Sequence, residues 1–547
     1  MDTLMTFTEL PAWQKLEQQA LQADELHLAE LLHDEQRQRA LSFDSLANFY
    51  VDFSKQRLTE DSFNGLLQLA NDANLSDKIK RFLGGDIVNP SENRPALHTV
   101  LRALDSDKGF IDNTDYADGV NQSLNVMQVV IERLYQKQWT GFSDKAITDV
   151  VNIGVGGSDL GPVMANFAMQ EFSHPEGKHL SIHFASTIDG SQLASLLPEL
   201  NPETTLFCYV SKSFTTIDTS SNADTAMSWL NSACSDETIL KQRHFIGISA
   251  NPQKMTEWGI PNENQITFWE WVGGRYSMWS AVGFVIALRI GMDAFKDFLN
   301  GANQVDQHLA NTPLEQNIPV LMALMDIWNN NFMGINTHAI LPYDGRLKYF
   351  PAYLGQLEME SNGKSVTLDE EPVDYKTCPI LWGEVGPNAQ HAFFQLLHQG
   401  TELVNADFII YKNRHAGSTA AEIKAFETQQ TLNMANCLAQ SRLLALGNAS
   451  LTEEDQDKLT VNQQYPGNQP STTIVIEELT PSTLGSLVAL YEHKVFAAAA
   501  IWNINPFDQW GVELGKKIAI QLQPILEGAA SDNMDASTVA LVSKLVD

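Results

Sequence analysis

The chain has 547 residues, more than one hydrophobic core normally organises, so two or more folded parts are expected. Hydrophobic residues make up 44% and charged residues 19%, which excludes the high-charge, low-hydrophobicity signature of disorder. With 67 acidic and 35 basic residues the net charge is -32, which argues against a nucleic-acid or anionic-membrane surface as the main partner. A site for an anionic substrate would have to be locally cationic.

The N-terminus, Met1-Asp2-Thr3, lacks the basic and apolar regions of a signal peptide, and Cys208, Cys234, Cys378 and Cys437 form no CxxC pair. A reducing, cytoplasmic setting is expected. Over 11–41, Trp13, Leu16, Ala20, Leu26, Leu31 and Leu32 recur at mostly helical spacing, which predicts a helical N-terminal region. A strand at 49–53 follows, then helical sequence to about 104. From there short runs rich in Val, Ile, Phe and Tyr alternate with helical patterns, the signal for parallel sheets wound by crossover helices. Strands are predicted at 146–153, 180–184, Thr205–Val210 and 244–249, closed by a long apolar helix at 278–290. After a helix at 319–333 the alternation resumes, with strands near 339–341, 380–382, 408–411 and 473–477. The fold class is α/β, with two units in tandem. Pro and Ser in 465–472 predict a surface loop.

Four motifs carry chemistry. GVGGSDLGP at 154–162 directly follows a strand, where glycines let backbone amides approach an anion, although a tight strand-to-helix turn needs the same residues. GxGxxG fails because Asp159 stands where glycine is required. SKSFTT at 211–216 also lies between strand and helix, and its hydroxyls, helix N–H groups and one ammonium could hold a phosphate without a metal. Ser and Thr also cap helices, but two such loops in neighbouring βα units favour a ligand. GGRYSMWS at 273–280 sets Arg275 beside two glycines, either a turn arginine or a fixed cation for an enediolate. QLEMESNGKS at 356–365 is no nucleotide loop, since the leading glycine falls on Glu358, and it leaves two carboxylates. Glu358 and Glu360 point in different directions on a helix, so one of them faces a pocket. His391 lacks zinc-protease spacing, as the next histidine is His398, and Lys516 alone reads as a solvated helix lysine.

Together these segments, from YVDFSK at 50–55 through VGGRYSMWSAVG at 272–283 and EMESNGK at 358–364 to FDQWGVELGK at 507–516, resemble the glucose-6-phosphate isomerase family. The resemblance implies two tandem sugar-isomerase (SIS) doubly wound parallel-sheet domains with helical N- and C-terminal extensions. The corresponding ranges are 1–115 helical, 116–292 the first and smaller domain, 315–510 the second, and 511–547 C-terminal helical. It implies a homodimer with a shared active site, a hexose phosphate substrate, and no metal or other cofactor. Glu360 would be the base moving a proton between C2 and C1, and His391, lent by the partner subunit, would help open the ring. Lys516 would assist near the ring oxygen, and Arg275 would stabilise the cis-enediolate. Gly157, Ser158, Ser211, Lys212, Ser213, Thr216, Gln356 and Gln509 would bind phosphate or orient substrate.

The sequence departs from many family members at Ser213, where they have threonine, and at Ile217, where they have a polar side chain. A looser phosphate site is expected. The residue types suit the reaction independently, because an aldose-ketose shift moves one proton between adjacent carbons and needs one carboxylate and no hydride acceptor. A non-catalytic sugar-phosphate sensor, or an isomerase of a related hexose phosphate, are the alternatives. The first could dispense with the acid-base residues present here.

Overall fold

The computed structural model describes residues 7–104, 109–111, 114–414, 417–529 and 534–546, so the first six residues, read above for a leader, lie outside it. The chain forms two compact units, Met1–Pro506 and Phe507–Asp547.

The first unit begins with helices Pro11–Asp24, Leu28–Leu31 and Glu35–Ala40. Asp34 caps the third by accepting from the N–H groups of Gln36 and Arg37. An antiparallel pair follows, β1 (Ser42–Phe43) and β2 (Phe49–Asp52). Next come β3 (Asp149–Ile153), β4 (Ser181–Ala185), β5 (Thr205–Val210), β6 (Phe245–Ser249) and β7 (Gln265–Thr267). They form a parallel sheet in the order β4-β3-β5-β6-β7. β5 is buried throughout, as an apolar parallel strand covered on both faces must be. From β3 the chain steps out to β4 and then returns past β3 to β5. Open α/β sheets bind ligands beyond the carboxyl ends of their strands at such a reversal.

The second sheet contains β8 (Thr337–Pro342), β9 (Ile380–Gly383), β10 (Asn405–Asn413) and β11 (Ser471–Glu478). Its order is β1-β2-β11-β10-β8-β9, parallel except that β2 runs antiparallel to β11 and β1 to β2. The N-terminal hairpin therefore extends the sheet built by the far end of the first unit.

Among the described residues one helix, Pro481–Trp502, is long and apolar enough to cross a membrane, and here it is buried, Ser482 apart, as the central core helix. It packs on Met292–Asn311, Ile318–Ile327 and Phe350–Asn362. A Cβ on Gly301 would meet the Ser482 carbonyl oxygen at 1.8 Å, and one on Gly485 that of Phe298 at 2.0 Å, so glycine permits the first of these crossings. Midway along this helix three consecutive titratable residues find buried partners. Glu492 and His493 pair with Arg102 (2.8 Å) and Asp306 (2.6 Å), and Lys494 with Asp326 (2.5 Å) and Glu358 (3.0 Å). His338 lies between Asp326 and Asp407, one ring nitrogen 3.1 Å from each. Burial alone would lower His338, but Asp407 and Asp326 outweigh it and lift the imidazole to about 10, so the ring carries its charge.

The structure corrects several expectations. The apolar run at 278–290 is not one helix: Ser280 accepts from the Val282 N–H, a short turn covers Ala281–Gly283, and the α-helix is Phe284–Ile290. The predicted helix at 319–333 is α only over Ile318–Ile327 and continues as a π turn, Trp328–Phe332, where the Trp328 indole N–H donates to the Arg57 carbonyl. The stretch at 465–472 is no surface loop at its end, because Ser471 and Thr472 are buried within β11. β1 and β7, two and three residues long, were too short to show a period.

The second unit holds helices Glu513–Leu526 and Ala536–Val546 after a short turn at Trp510–Val512. No side chain of the longer helix is buried, and Leu514, Ile518, Ile520 and Leu526 are exposed.

Candidate active site

Three loops and one helix of the first unit converge beyond the carboxyl ends of β3 and β5. The GVGGSDLGP loop leaves β3, makes a turn at Gly156–Ser158 with Gly156 at φ 60°, and enters helix Leu160–Ala168. Asn152 steadies it by donating to the Ser158 carbonyl (3.1 Å). A Cβ on Gly157 would lie 2.0 Å from the Gly274 carbonyl oxygen, so only glycine lets this loop rest on the GGRYS loop. The first and third sequence motifs, far apart in the chain, are thus in direct contact.

The SKSFTT loop leaves β5 and leads into helix Ile217–Asn231. Ser211 is buried with its hydroxyl 3.1 Å from that of Thr216, while exposed Ser213 accepts from the Thr215 hydroxyl (2.8 Å). Lys212 turns across to the third loop and donates to the carbonyls of Glu270 (2.6 Å) and Val272 (2.9 Å). Burial, and next the nearby Arg94, bring its ammonium down to about 8. Lys212, Arg94 and Arg275 bring cations to this very acidic chain, each beside a carboxylate: Lys212 near Glu270 (3.5 Å), Arg94 on Glu92 (2.6 Å) and Arg275 on Glu360 (3.3 Å). Ile217, the unusual residue, is 47% exposed at the start of its helix.

Arg275 lies in the turn Gly274–Tyr276 and is 2% exposed. Its Nε donates to the Ser361 hydroxyl (2.6 Å), Nη2 to the Pro506 carbonyl (2.5 Å), and Nη1 approaches the Glu360 carboxylate at 3.3 Å. Glu360 sits in the last turn of helix Phe350–Asn362 with a fifth of its side chain open, and accepts from the Gln356 amide one turn earlier (3.1 Å). Gln356 also borders the first loop, since a Cβ on Gly156 would stand 3.2 Å from its amide nitrogen. Glu358, two residues before Glu360, points the other way and is buried on Lys494. The two carboxylates thus diverge as the helical wheel requires, Glu358 inward onto Lys494 and Glu360 toward Arg275.

The structure thus brings together Gly157, Lys212, Arg275, Gln356 and Glu360. His391 is exposed on helix Gly386–Ala392, beside β9 of the other sheet. Gln509 and Lys516 belong to the second unit, where Lys516 is solvent-exposed and ion-paired with Glu513 (2.8 Å). Sequence reading missed Ser361, Tyr276 and the Pro506 carbonyl as partners of this site. Ser361 lies inside the motif that gave Glu360, and its neighbourhood was the available signal.

Among the described residues one trio, Asp326, His338 and Glu358, has donor atoms close enough together to hold a metal ion. The Lys494 ammonium already bridges its two carboxylates, so the cluster carries its own cation.

A family model, phosphoglucose isomerase, matches residues 52–542. A glucose-6-phosphate isomerase of Hydrogenovibrio crunogenus is 51% identical over 544 residues, covering 98% of both chains, and one of Acinetobacter baumannii is 52% identical over 529 residues, covering 95% of this chain and 94% of the relative. Among solved structures, a glucose-6-phosphate isomerase from Chlamydia trachomatis superposes with a TM-score of 0.85 at 31% identity, covering 99% of this chain and all of the other. The convergence of the glycine, hydroxyl, arginine and glutamate motifs on one crevice, together with these likenesses, identifies the chain as a member of the phosphoglucose isomerase family.

Proposed function

We infer that this chain is an aldose-ketose isomerase that reversibly interconverts glucose 6-phosphate and fructose 6-phosphate through a cis-enediolate, a step of glycolysis and gluconeogenesis. The observation that carries the reading is the Glu360 carboxylate, partly open, facing the buried Arg275 guanidinium at 3.3 Å. Glu360 takes the proton from one of the two reacting carbons and returns it to the other on the same face. Arg275, already in place before the reaction, meets the negative charge that develops on the enediolate oxygen. A sensor of sugar phosphates would have no use for this pairing of base and fixed cation.

The hydroxyls of Ser158, Ser211, Ser213 and Thr216 and the amide-rich turn at Gly157 bind the phosphate. Binding at that end positions the reacting carbons at the other. Lys212 acts here through charge and by tying down the loop that leads to Arg275. Gln356 orients Glu360, and Gln509 and Lys516 take the substrate-orienting and ring-oxygen roles that the family likeness gives them. His391, exposed in its own subunit, serves the site of the partner in a homodimer. The uncovered apolar side chains of helix Glu513–Leu526 support such an assembly. The two SIS domains are 116–292 and 315–510, flanked by the helical regions 1–115 and 511–547. The four cysteines are unpaired, which fits the cytoplasm.

The test is conversion of fructose 6-phosphate to glucose 6-phosphate by purified protein after exhaustive chelation, with mannose 6-phosphate formation measured in parallel. Retained turnover with glucose 6-phosphate as the dominant product supports the reading. Loss that a divalent metal restores would overturn it.

A further inference from the structure

Arg275 is held in an unusual way for so deeply buried a cation. Nε and Nη2 donate to uncharged oxygens, the Ser361 hydroxyl at 2.6 Å and the Pro506 carbonyl at 2.5 Å, and Nη1 donates a longer hydrogen bond, 3.3 Å, to the Glu360 carboxylate. Ser361 is fully buried, and its hydroxyl is also 2.9 Å from that of Tyr276, whose ring stacks on His98 (centroids 4.6 Å apart). Arg275 and Tyr276 are adjacent in one loop, and Glu360 and Ser361 are adjacent on one helix. A single serine oxygen therefore joins the element carrying the cation to the element carrying the base.

We propose that Ser361, backed by Tyr276, is a positioning residue that aims the Arg275 guanidinium at the enediolate and keeps its hydrogen bond to Glu360 a long one. The physical reason is the asymmetry between neutral and charged acceptors. A neutral hydroxyl orients a guanidinium but leaves its field intact, while a close carboxylate would cancel much of that field and tie up the base as well. Without the Ser361 hydroxyl, Nε loses that acceptor, and the guanidinium is free to tighten its existing 3.3 Å contact with Glu360. Ground-state binding of the sugar phosphate would change little, because the phosphate contacts lie on other loops. The transition state would lose its aligned cation.

The proposal rests on the reading of Arg275 as the enediolate stabiliser, and three variants keep the two apart: Ser361→Ala, Tyr276→Phe and Arg275→Gln. In Ser361→Ala, kcat should fall about 10- to 100-fold with KM within about twofold of the parent, and Tyr276→Phe should show a smaller loss of kcat alone. Affinity for a hydroxamate analogue of the enediolate bearing the same phosphate should fall in step with kcat. Affinity for the corresponding alditol phosphate should stay constant. A role in folding alone would lower thermal stability and leave the kcat of the folded enzyme and both affinities unchanged, and that result overturns the proposal. So does an equal loss of both affinities. Should Ser361→Ala not fold, Tyr276→Phe decides by the same criteria. An unchanged kcat in Arg275→Gln sinks the Arg275 reading itself, while a large loss there beside an intact Ser361→Ala sinks only the role given to Ser361.

Discussion

Arg102 and Arg275 are both almost completely buried in the first unit, and their surroundings differ in one respect. Arg102 is compensated by two carboxylates, Asp306 at 3.1 Å and Glu492 at 2.8 Å, and lies over the Trp279 ring at 4.8 Å. Arg275 donates Nε and Nη2 to uncharged oxygens and Nη1 to a single carboxylate, Glu360, over a longer 3.3 Å. Burying a cation is costly unless the lost hydration is replaced, and the two sites replace it differently. Arg102 is held between two buried carboxylates, which serves cohesion around the central helix. Arg275 is solvated mainly by dipoles, and its one carboxylate partner is the partly open base at 3.3 Å. A buried arginine is thus structural or functional according to what solvates it, which burial alone does not reveal.

The largest expected effect tests the functional side. Glu360→Gln keeps shape and the Gln356 contact but removes the base, so kcat should fall by about 1,000-fold or more while the substrate's binding affinity changes little; near-normal turnover would break the comparison. On the structural side, Arg102→Met leaves Asp306 and Glu492 buried with less compensation, and unfolding titrations should show a loss of about 3–5 kcal/mol. The kcat of the protein that remains folded should be unaffected, and a selective loss of kcat would place Arg102 in the machinery.

A third measurement addresses the other buried cluster. His338 is lifted to about 10, above its ordinary value near 6.5, so the folded state holds a proton that the unfolded state releases. The stability it contributes is complete below about pH 6.5 and declines as pH rises toward 10, at most by about 1.4 kcal/mol per pH unit for one proton. Denaturation midpoints should fall over that window in the parent and less steeply in His338→Gln; parallel slopes would count against a charged His338. The smallest effect lies in the phosphate loop. Lys212 titrates at about 8, so its charge fades above that pH and KM should climb there. Lys212→Gln should raise KM several-fold, an effect of about 1 kcal/mol, and flatten that climb; an unchanged KM would remove Lys212 from substrate binding.

Much of this was readable in one dimension because the signals are local. The strand Thr205–Val210 is a continuous apolar run, its following loop is rich in Ser and Thr, and both fall where periodicity put them. The opposed orientations of Glu358 and Glu360 follow from 3.6 residues per turn. The sequence reading failed in two ways, where a cap inside an apolar run went unread and where a neighbour distant in sequence overrode the local signal. The apolar run at 278–290 reads as helix, yet Ser280 caps a new start at 281. Ser471 and Thr472 read as loop but pair in β11, with the Ser471 N–H donating to the Lys55 carbonyl more than 400 residues earlier.

By itself the amino-acid sequence determined the tandem α/β character, the chemistry-bearing loops and the pair of carboxylates, because each depends on residues within a turn or two of one another. The tertiary structure decided which groups meet: Gly157 against Gly274, Lys212 on the carbonyls of the arginine loop, and Ser361 under Arg275. It also decided which buried charges cancel and which stay effective. The reason is that electrostatic function depends on distances between side chains from remote segments, and packing alone fixes those distances.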